Sequence, residues 1–83
     1  MKATVTITLK AGLLDVQGKA TQQALASLGF KGIAQVRVGK IIELELTRGT
    51  AASAKREVER MCEKLLANPV IEAYRITIVN RGS

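Results

Sequence analysis

The sequence predicts an α+β fold, a ferredoxin-like βαββαβ sandwich in which two helices cover one face of a four-stranded antiparallel sheet. Three observations support this prediction. Runs of alternating apolar residues indicate strands, and stretches of helical periodicity lie between them. The chain has 83 residues, which is enough for one core and not for two, so we expect a single domain over residues 1–83.

The first half pairs a strand with a helix. The strand is predicted from an alternating run made of Ala3, Val5, Ile7 and Leu9. Such alternation, with β-branched residues, is typical of a strand with one buried face. Apolar residues then recur at helical spacing at Ala20, Ala24, Leu25 and Leu28. Gly29 is expected to end this helix in the left-handed conformation.

The middle of the chain predicts a hairpin. Two further alternating runs, residues 34–38 and 42–46, are separated by Gly39-Lys40. Two such runs joined by a short glycine turn are typical of a β-hairpin, and a positive φ is expected at Gly39. Across this hairpin, Arg37 is spaced to pair with Glu43 or Glu45.

A second helix and a last strand complete the sandwich. The helix is predicted from an apolar stripe made of Ala54, Val58, Met61, Cys62 and Leu65. Asn68-Pro69 ends it, because the residue before proline avoids the α conformation. In the strand over residues 70–79, Tyr74, Ile76 and Ile78 share one side. With both helices on one face, the other face of the sheet is expected to be polar. It would present Thr4, Thr6, Thr8, Gln35, Arg37, Glu43, Glu45, Arg75 and Thr77.

Composition excludes several classes of function. The net charge is +6, but the basic residues are scattered, which favours a solvated surface over a nucleic-acid site. Cys62 is the only cysteine and there is no histidine, so a disulfide within the chain and a metal site built on a pair of cysteines are excluded. No apolar run is long enough to span a membrane. These features indicate a protein of the reducing cytoplasm.

The usual activities of this fold also lack their residues. RNA recognition on such a sheet needs stacked aromatics, and the chain has only Phe30 and Tyr74. Metal transport needs a Cys-x-x-Cys loop, which is absent. Cys62 lies on the apolar stripe of the second helix, which favours a structural thiol over a nucleophile. Glu43 and Glu45 share a strand face, where a solvated pair is favoured over an acid–base pair.

The stretch LKAGLLDVQGKA is the remaining candidate for a site. It matches neither of the glycine-rich phosphate-binding patterns. Asp15 is placed to cap the first helix by accepting a hydrogen bond from the backbone of Gln17 or Gly18. Gln17 and Lys19 are not needed for capping and remain available to a partner.

Three segments together resemble the PurS family, the small subunits of phosphoribosylformylglycinamidine synthase. They read LKAGLLDVQGKA, LGFKGIAQVRVGKIIELEL and NPVIEAYRI, and the resemblance extends from Val5 to Ile78. Its most specific pieces are the Leu-Asp-x-Gln-Gly run, the Val-Arg-x-Gly-Lys turn and the Asn-Pro-Val-Ile-Glu-x-Tyr end. Ile41 stands where the family more often has an aromatic residue.

The resemblance implies a non-catalytic assembly subunit in de novo purine biosynthesis. In the family's complex a glutaminase subunit releases ammonia. A larger synthetase subunit uses ATP and Mg to make formylglycinamidine ribonucleotide from formylglycinamide ribonucleotide. The small subunit carries neither active site; it brings the two together and assists ammonia transfer. From its residues we expect this chain to bind no cofactor, metal, nucleic acid or membrane. The family is expected to form a homodimer or tetramer through its sheets.

We expect the contacts with the two enzymes to involve Asp15, Gln17, Gly18, Arg37, Lys40 and Asn68. For Arg37 an ion pair with Glu43 or Glu45 within the hairpin stays open as an equal alternative to a contact with the enzymes. A function of another class also stays open, since ferredoxin-like dimers can act as regulatory modules that bind a small molecule.

Overall fold

The computed structural model describes residues 1–79. In chain order its elements are β1 (Lys2–Leu9), α1 (Val16–Ser27), β2 (Lys40–Glu45), α2 (Ala51–Met61), a π-helical segment (Cys62–Leu66) and β3 (Glu72–Val79). The three strands form one antiparallel sheet in the order β2-β1-β3. The α+β class predicted from the sequence is confirmed.

The core lies between β1, in the middle of the sheet, and α2. Ala3, Val5 and Ile7 are buried on one side of β1, as their alternation predicts. Val5 lies opposite Ile42 of β2 and Ile76 of β3, so the apolar sides of all three strands coincide. From α2 and the segment after it, Val58 and Cys62 are fully buried against this face.

The second helix is well defined at both ends. Thr50 caps α2 by accepting a hydrogen bond from the Ser53 backbone N–H at 3.1 Å, and the Thr50 N–H donates to the Ser53 hydroxyl at 2.9 Å. The helix then widens into the π-helical segment, where the Ala67 N–H donates to the Cys62 carbonyl at 3.0 Å. The segment ends before Asn68-Pro69, as predicted.

The wider π-helical turn changes which leucine faces the core. Leu65 was expected on the apolar stripe but is 82% exposed, while Leu66 packs against the core. The prediction for Leu65 is wrong because an extra residue in the turn shifts the helical phase. On the core side, the Tyr74 hydroxyl donates to Glu63 at 2.8 Å, which raises the pKa of Tyr74 to about 12.

The first helix is formed as predicted, but it does not pack on the sheet. It ends at Gly29, whose φ is +95°. The segment that follows α1, residues 28–39, lies against the helix, and we call this segment the arm. Gln22 donates to the carbonyls of Ile33 at 3.1 Å and Ala34 at 3.2 Å. Together α1 and the arm form a flap, residues 16–39, and no residue of the flap belongs to the core cluster.

The predicted strand at residues 34–38 is absent from the described structure. These residues join no strand, and the sheet of residues 1–79 has three strands, so the four-stranded arrangement is not confirmed. Two side chains form hydrogen bonds with the backbone of this segment instead of a neighbouring strand. Gln22 donates to the Ala34 carbonyl, and Asp15 accepts from the Val38 N–H. Of the two predicted helices only α2, with the segment that follows it, packs on the sheet. Gln35 and Arg37 join no strand and so are not on the polar face of the sheet.

The predicted hairpin around Gly39 is also wrong. Gly39 has no positive φ. Glycine is needed there because a Cβ atom would collide with the Ile7 carbonyl oxygen. Arg37 pairs with neither expected glutamate and donates to the Leu9 carbonyl. Glu43 pairs instead with Lys2 at 2.8 Å on the polar face.

The flap gives the chain an elongated shape. The Cα radius of gyration is 16.3 Å, and the principal extents are 48 × 30 × 15 Å. A compact domain of this length has a radius of about 12 Å. Across the described residues, no helix has the length and apolar character that crossing a bilayer requires.

Candidate docking surface at the loop end of the sheet

Three connections meet at one end of the sheet. The loop after β1, the end of the arm and the turn before β3 lie together because β1 is antiparallel to both neighbours. The Lys10 N–H donates to the Ile71 carbonyl at 2.9 Å and joins the first and third connections. We call this surface, formed by residues 10–18, 36–40 and 68–72, the loop end.

Asp15 fastens the two ends of the flap to each other. Its Oδ1 accepts from the Gly18 N–H at 2.7 Å, which confirms the predicted helix cap. Its Oδ2 accepts from the Val38 N–H, also at 2.7 Å, across 23 residues of sequence. The Val38 bond, followed by the Gly18 bond, holds the pKa of the Asp15 carboxyl below its ordinary value. Asp15 is therefore a structural anion at the root of the flap.

Gly18 and Gln17 are neighbours in sequence with opposite surroundings. Gly18 is buried, and a Cβ atom on it would collide with the Val36 carbonyl oxygen. It lets the arm approach α1 and leaves no side chain for a partner. Gln17 is exposed, and its side chain has no hydrogen-bond partner within residues 1–79. Of the two, Gln17 is the residue available for docking.

Arg37, Lys40 and Asn68 complete the predicted set. Arg37 holds the arm to the end of β1 through the Leu9 carbonyl. Lys40 is exposed at the first position of β2. Asn68 shapes the turn before β3, since its Oδ1 accepts from the Val70 N–H at 3.1 Å and its N–H donates to Glu72 Oε1 at 2.7 Å. The six predicted residues thus lie at the same end of the sheet.

The loop end contains two open grooves. The first, of about 410 Å³, is lined by Leu14, Asp15, Gln17, Gly39, Lys40 and Glu72, among others. The second, of about 590 Å³, is lined by Lys10, Gly12, Asp15, Lys19, Gln22 and Arg37, among others. Asp15 lines both grooves, and three basic side chains line the second.

Sequence reasoning missed the apolar part of this surface. Leu13, Leu14 and Val16 are 46%, 75% and 70% exposed. The sequence did contain a signal for this surface. Leu13, Leu14 and Val16 lie between Gly12 and Gly18, where turns are usually built from polar residues and glycine. Exposed leucines beside polar groups are typical of surfaces that bind other proteins.

The residues weighed for catalysis lie away from the loop end. Cys62 is fully buried, and burial raises the pKa of its thiol, with smaller contributions from Glu63 and Glu59. The hydrogen bond from Lys2 lowers the pKa of Glu43, the opposite of what a general acid requires. Among residues 1–79 there is no group of three side chains that could hold a metal ion.

Comparisons with known proteins place this geometry in a family. Residues 2–80 match the family model PurS, described as phosphoribosylformylglycinamidine (FGAM) synthase. The phosphoribosylformylglycinamidine synthase subunit PurS of Methanocaldococcus jannaschii is 46% identical over 77 residues, which are 93% of each chain.

Solved structures agree with the sequence matches. The crystal structure of the M. jannaschii PurS superposes with a TM-score of 0.84 over 92% of both chains. A Bacillus subtilis PurS structure, 42% identical, gives 0.86 over 95% of this chain and 98% of its own. A chain in the structure of PurLQS from Thermotoga maritima, 27% identical, gives 0.85 over 94% and 95%.

Proposed function

The chain belongs to the PurS family of phosphoribosylformylglycinamidine synthase subunits, and on that premise we propose that it is a small assembly subunit of this synthase in purine biosynthesis. It brings a glutaminase subunit and an ATP-dependent synthetase subunit together and assists the passage of ammonia between them. ATP and Mg act on the synthetase subunit, and the complex works in the cytoplasm.

The observation that carries the proposal is the match to a chain of the T. maritima PurLQS structure, an assembly in which a PurS-like chain is found with other subunits. The chemistry of this chain supports an assembly role rather than a catalytic one. It has no histidine, and its single thiol is buried with a raised pKa. The synthase is a ligase, and in this proposal its reacting groups belong to the other subunits.

The loop end is the proposed docking surface for the two enzymes. Gln17 and Lys40 offer polar contacts in the first groove, and Leu14 offers an apolar one. Leu13 offers an apolar contact in the second groove. Asp15, Gly18 and Asn68 act indirectly by fixing the loops that carry these side chains. Arg37 does the same for the arm while lining the second groove.

A homo-oligomer is part of the proposal. The polar face of the sheet carries Thr4, Thr6 and Thr8, all half-buried, beside Ile41, which is 64% exposed. Short side chains on a flat face allow two sheets to approach closely. This face supports association of two chains, and a second contact elsewhere would extend the pair to a tetramer.

The direct test mixes the chain with the glutaminase and synthetase subunits in the presence of ATP, Mg and glutamine. Gel filtration is expected to show one complex, and glutamine-dependent synthesis is expected to require the chain. Synthesis at an equal rate without the chain, together with separate elution, would contradict the proposal.

Gln17→Ala tests the docking surface within that complex. We expect weaker co-elution and an unchanged melting temperature, because the side chain is exposed and contributes no bond to the fold. Gln23→Ala is the matched control, an exposed glutamine of the same helix outside the loop end. Equal behaviour of the two variants would remove Gln17 from the docking surface.

A further inference from the structure

The second groove of the loop end has a net positive charge. It lies between the loop after β1, the helix α1 and the arm, and these three segments contribute Lys10, Lys19 and Arg37 to its lining. All three basic residues are exposed. Within the described part of the chain, Asp15 is the one acidic residue that lines the groove. Three basic groups and one carboxylate leave the groove with a formal charge of about +2.

The basic groups of the groove keep free hydrogen-bond donors. The ion pairs formed within residues 1–79 include neither Lys10 nor Lys19. Asp15 does not neutralise them, because both of its carboxylate oxygens accept from backbone N–H groups at 2.7 Å. Arg37 uses one guanidinium nitrogen for the Leu9 carbonyl, and a guanidinium has five N–H donors. The groove can therefore offer several charged donors to a bound anion.

Hydrogen bonds hold the segments that form the walls of the groove. In the turn after β1, the Leu13 N–H donates to the Lys10 carbonyl at 3.3 Å, and Gly12 has the positive φ, +88°, that a type II turn requires. Gln22 joins the other two segments, α1 and the arm, by donating to the Ala34 carbonyl at 3.2 Å. Because these walls are already in place, a ligand loses less binding free energy to their ordering.

The same groove also has an apolar part. Leu13, Leu14, Ala34 and Val36 line it together with the basic residues. Its volume of about 590 Å³ falls within the ~300–1,000 Å³ of sites that bind small molecules. A matching ligand has an anionic group for the basic side chains and an uncharged part for the leucines. A phosphate monoester on a small organic molecule has both, since its phosphate carries nearly two negative charges and three acceptor oxygens.

We propose that the second groove binds a small phosphorylated molecule, whose phosphate is held by Lys10, Lys19 and Arg37. The uncharged part of the molecule lies against Leu13 and Leu14. This goes beyond the proposed function, which assigns the chain no ligand. Glycine-rich phosphate loops use the backbone of one segment, so their patterns do not detect a site made of side chains from three segments. An acidic protein segment would match the charge of the groove and not its apolar part.

Ribose 5-phosphate is the probe, and ribose is its uncharged counterpart. Each is titrated into the isotope-labelled whole chain at constant ionic strength. Ribose 5-phosphate is expected to give saturable shifts of the amide signals of residues 10–13, 19 and 35–37 below about 10 mM, and ribose is expected to give none. Inorganic phosphate is expected to bind the same residues more weakly, because it has no part that contacts the leucines. The proposal is wrong if ribose 5-phosphate shifts none of these signals, or if ribose or inorganic phosphate binds equally well.

Lys19→Gln measures the contribution of one charge. We expect it to raise the dissociation constant of ribose 5-phosphate by about threefold to tenfold, because it removes a charged donor from an exposed site. Lys55→Gln is the matched control, an exposed lysine of α2 outside the loop end, and it should leave the constant unchanged. Equal constants in the two variants would overturn the proposal, since the net charge of the chain would then account for the binding.

An oligoglutamate peptide tests the other occupant that the charge of the groove allows. We expect it to displace ribose 5-phosphate only at higher concentration, because it has no group that fits the apolar part. Displacement at a lower concentration would overturn the proposal and assign the groove to an acidic protein segment. These titrations use the chain without the two enzymes, whereas the assembly function is tested by co-elution with them, so either proposal can fail without the other.

Discussion

The two helices of this chain follow the same sequence rule and have different surroundings. Both were predicted from apolar residues at helical spacing. In α2 the stripe is buried, with Val58 fully inaccessible to solvent and Cys62 equally so in the segment that follows. At the end of α1, Leu28 is 73% exposed. Periodicity therefore predicts that a helix has an apolar side, and it does not predict which surface that side contacts.

The difference divides the molecule into a part that has its own hydrophobic core and a part, the flap, that has none. Strands β1, β2 and β3 with α2 share one core cluster, to which the flap contributes nothing. The flap is held at its root by hydrogen bonds and a close backbone contact. We expect substitutions in the first part to change global stability and substitutions in the second to act locally or through association.

The largest expected effect concerns the central strand. Ile7→Ala should lower the free energy of unfolding by about 2–5 kcal/mol, because Ile7 is 1% exposed and its removal leaves a cavity. Urea denaturation measures the change. Leu65→Ala, at an exposed position, should change it by less than about 0.5 kcal/mol. Similar losses in the two variants would mean that the core is not where the structure places it.

Gly18→Ala gives a smaller effect, and its sign is the informative result. In a helix without neighbours, replacing glycine by alanine stabilises by about 1 kcal/mol. Here the new Cβ would collide with the Val36 carbonyl, and overpacking of this kind costs about 1–3 kcal/mol. We expect net destabilisation, with loss of amide protection in the arm. A gain in stability would show that the arm does not lie against α1.

The smallest expected effect is the pH dependence of the flap root. The pKa of Asp15 is lowered in the folded chain, so its contribution is present above the ordinary value of 3.8 and is lost as pH falls through the folded pKa. Hydrogen exchange should show Val38 and Gly18 amides losing protection over that range while β1 amides keep theirs. Asp15→Asn should show weak protection at every pH, and a pH response that persists in it would assign the effect to another group.

The parts that could be predicted from sequence depend on local spacing. The alternation of β1, the capping by Asp15 of α1 and the end at Gly29 each involve residues within a few positions of one another. Contacts distant in sequence were not predictable. The bond from Asp15 to Val38 spans 23 residues, and no spacing rule indicates it.

The wrong predictions have the same origin. The alternation at residues 34–38 predicts a strand, but these residues join none, because a strand also needs a partner edge, which sequence alone does not assign. Gly39 was predicted for a turn and serves a close approach to Ile7 instead. At the candidate site, sequence identified where the surface lies, while the structure separated Gln17 and Lys40, which are exposed, from Asp15 and Gly18, which support them.

The two hydrogen bonds of Asp15 hold the flap at its root, so a rotation of the flap would take place about that point. The twelve residues of α1 extend about 18 Å from the root, so a rotation of the flap by about 5° moves the far end of the helix by about 1.5 Å. Asp15 also lines both grooves of the loop end. A change in the direction of the flap at its root is therefore largest at the far end of the helix, at Ser27.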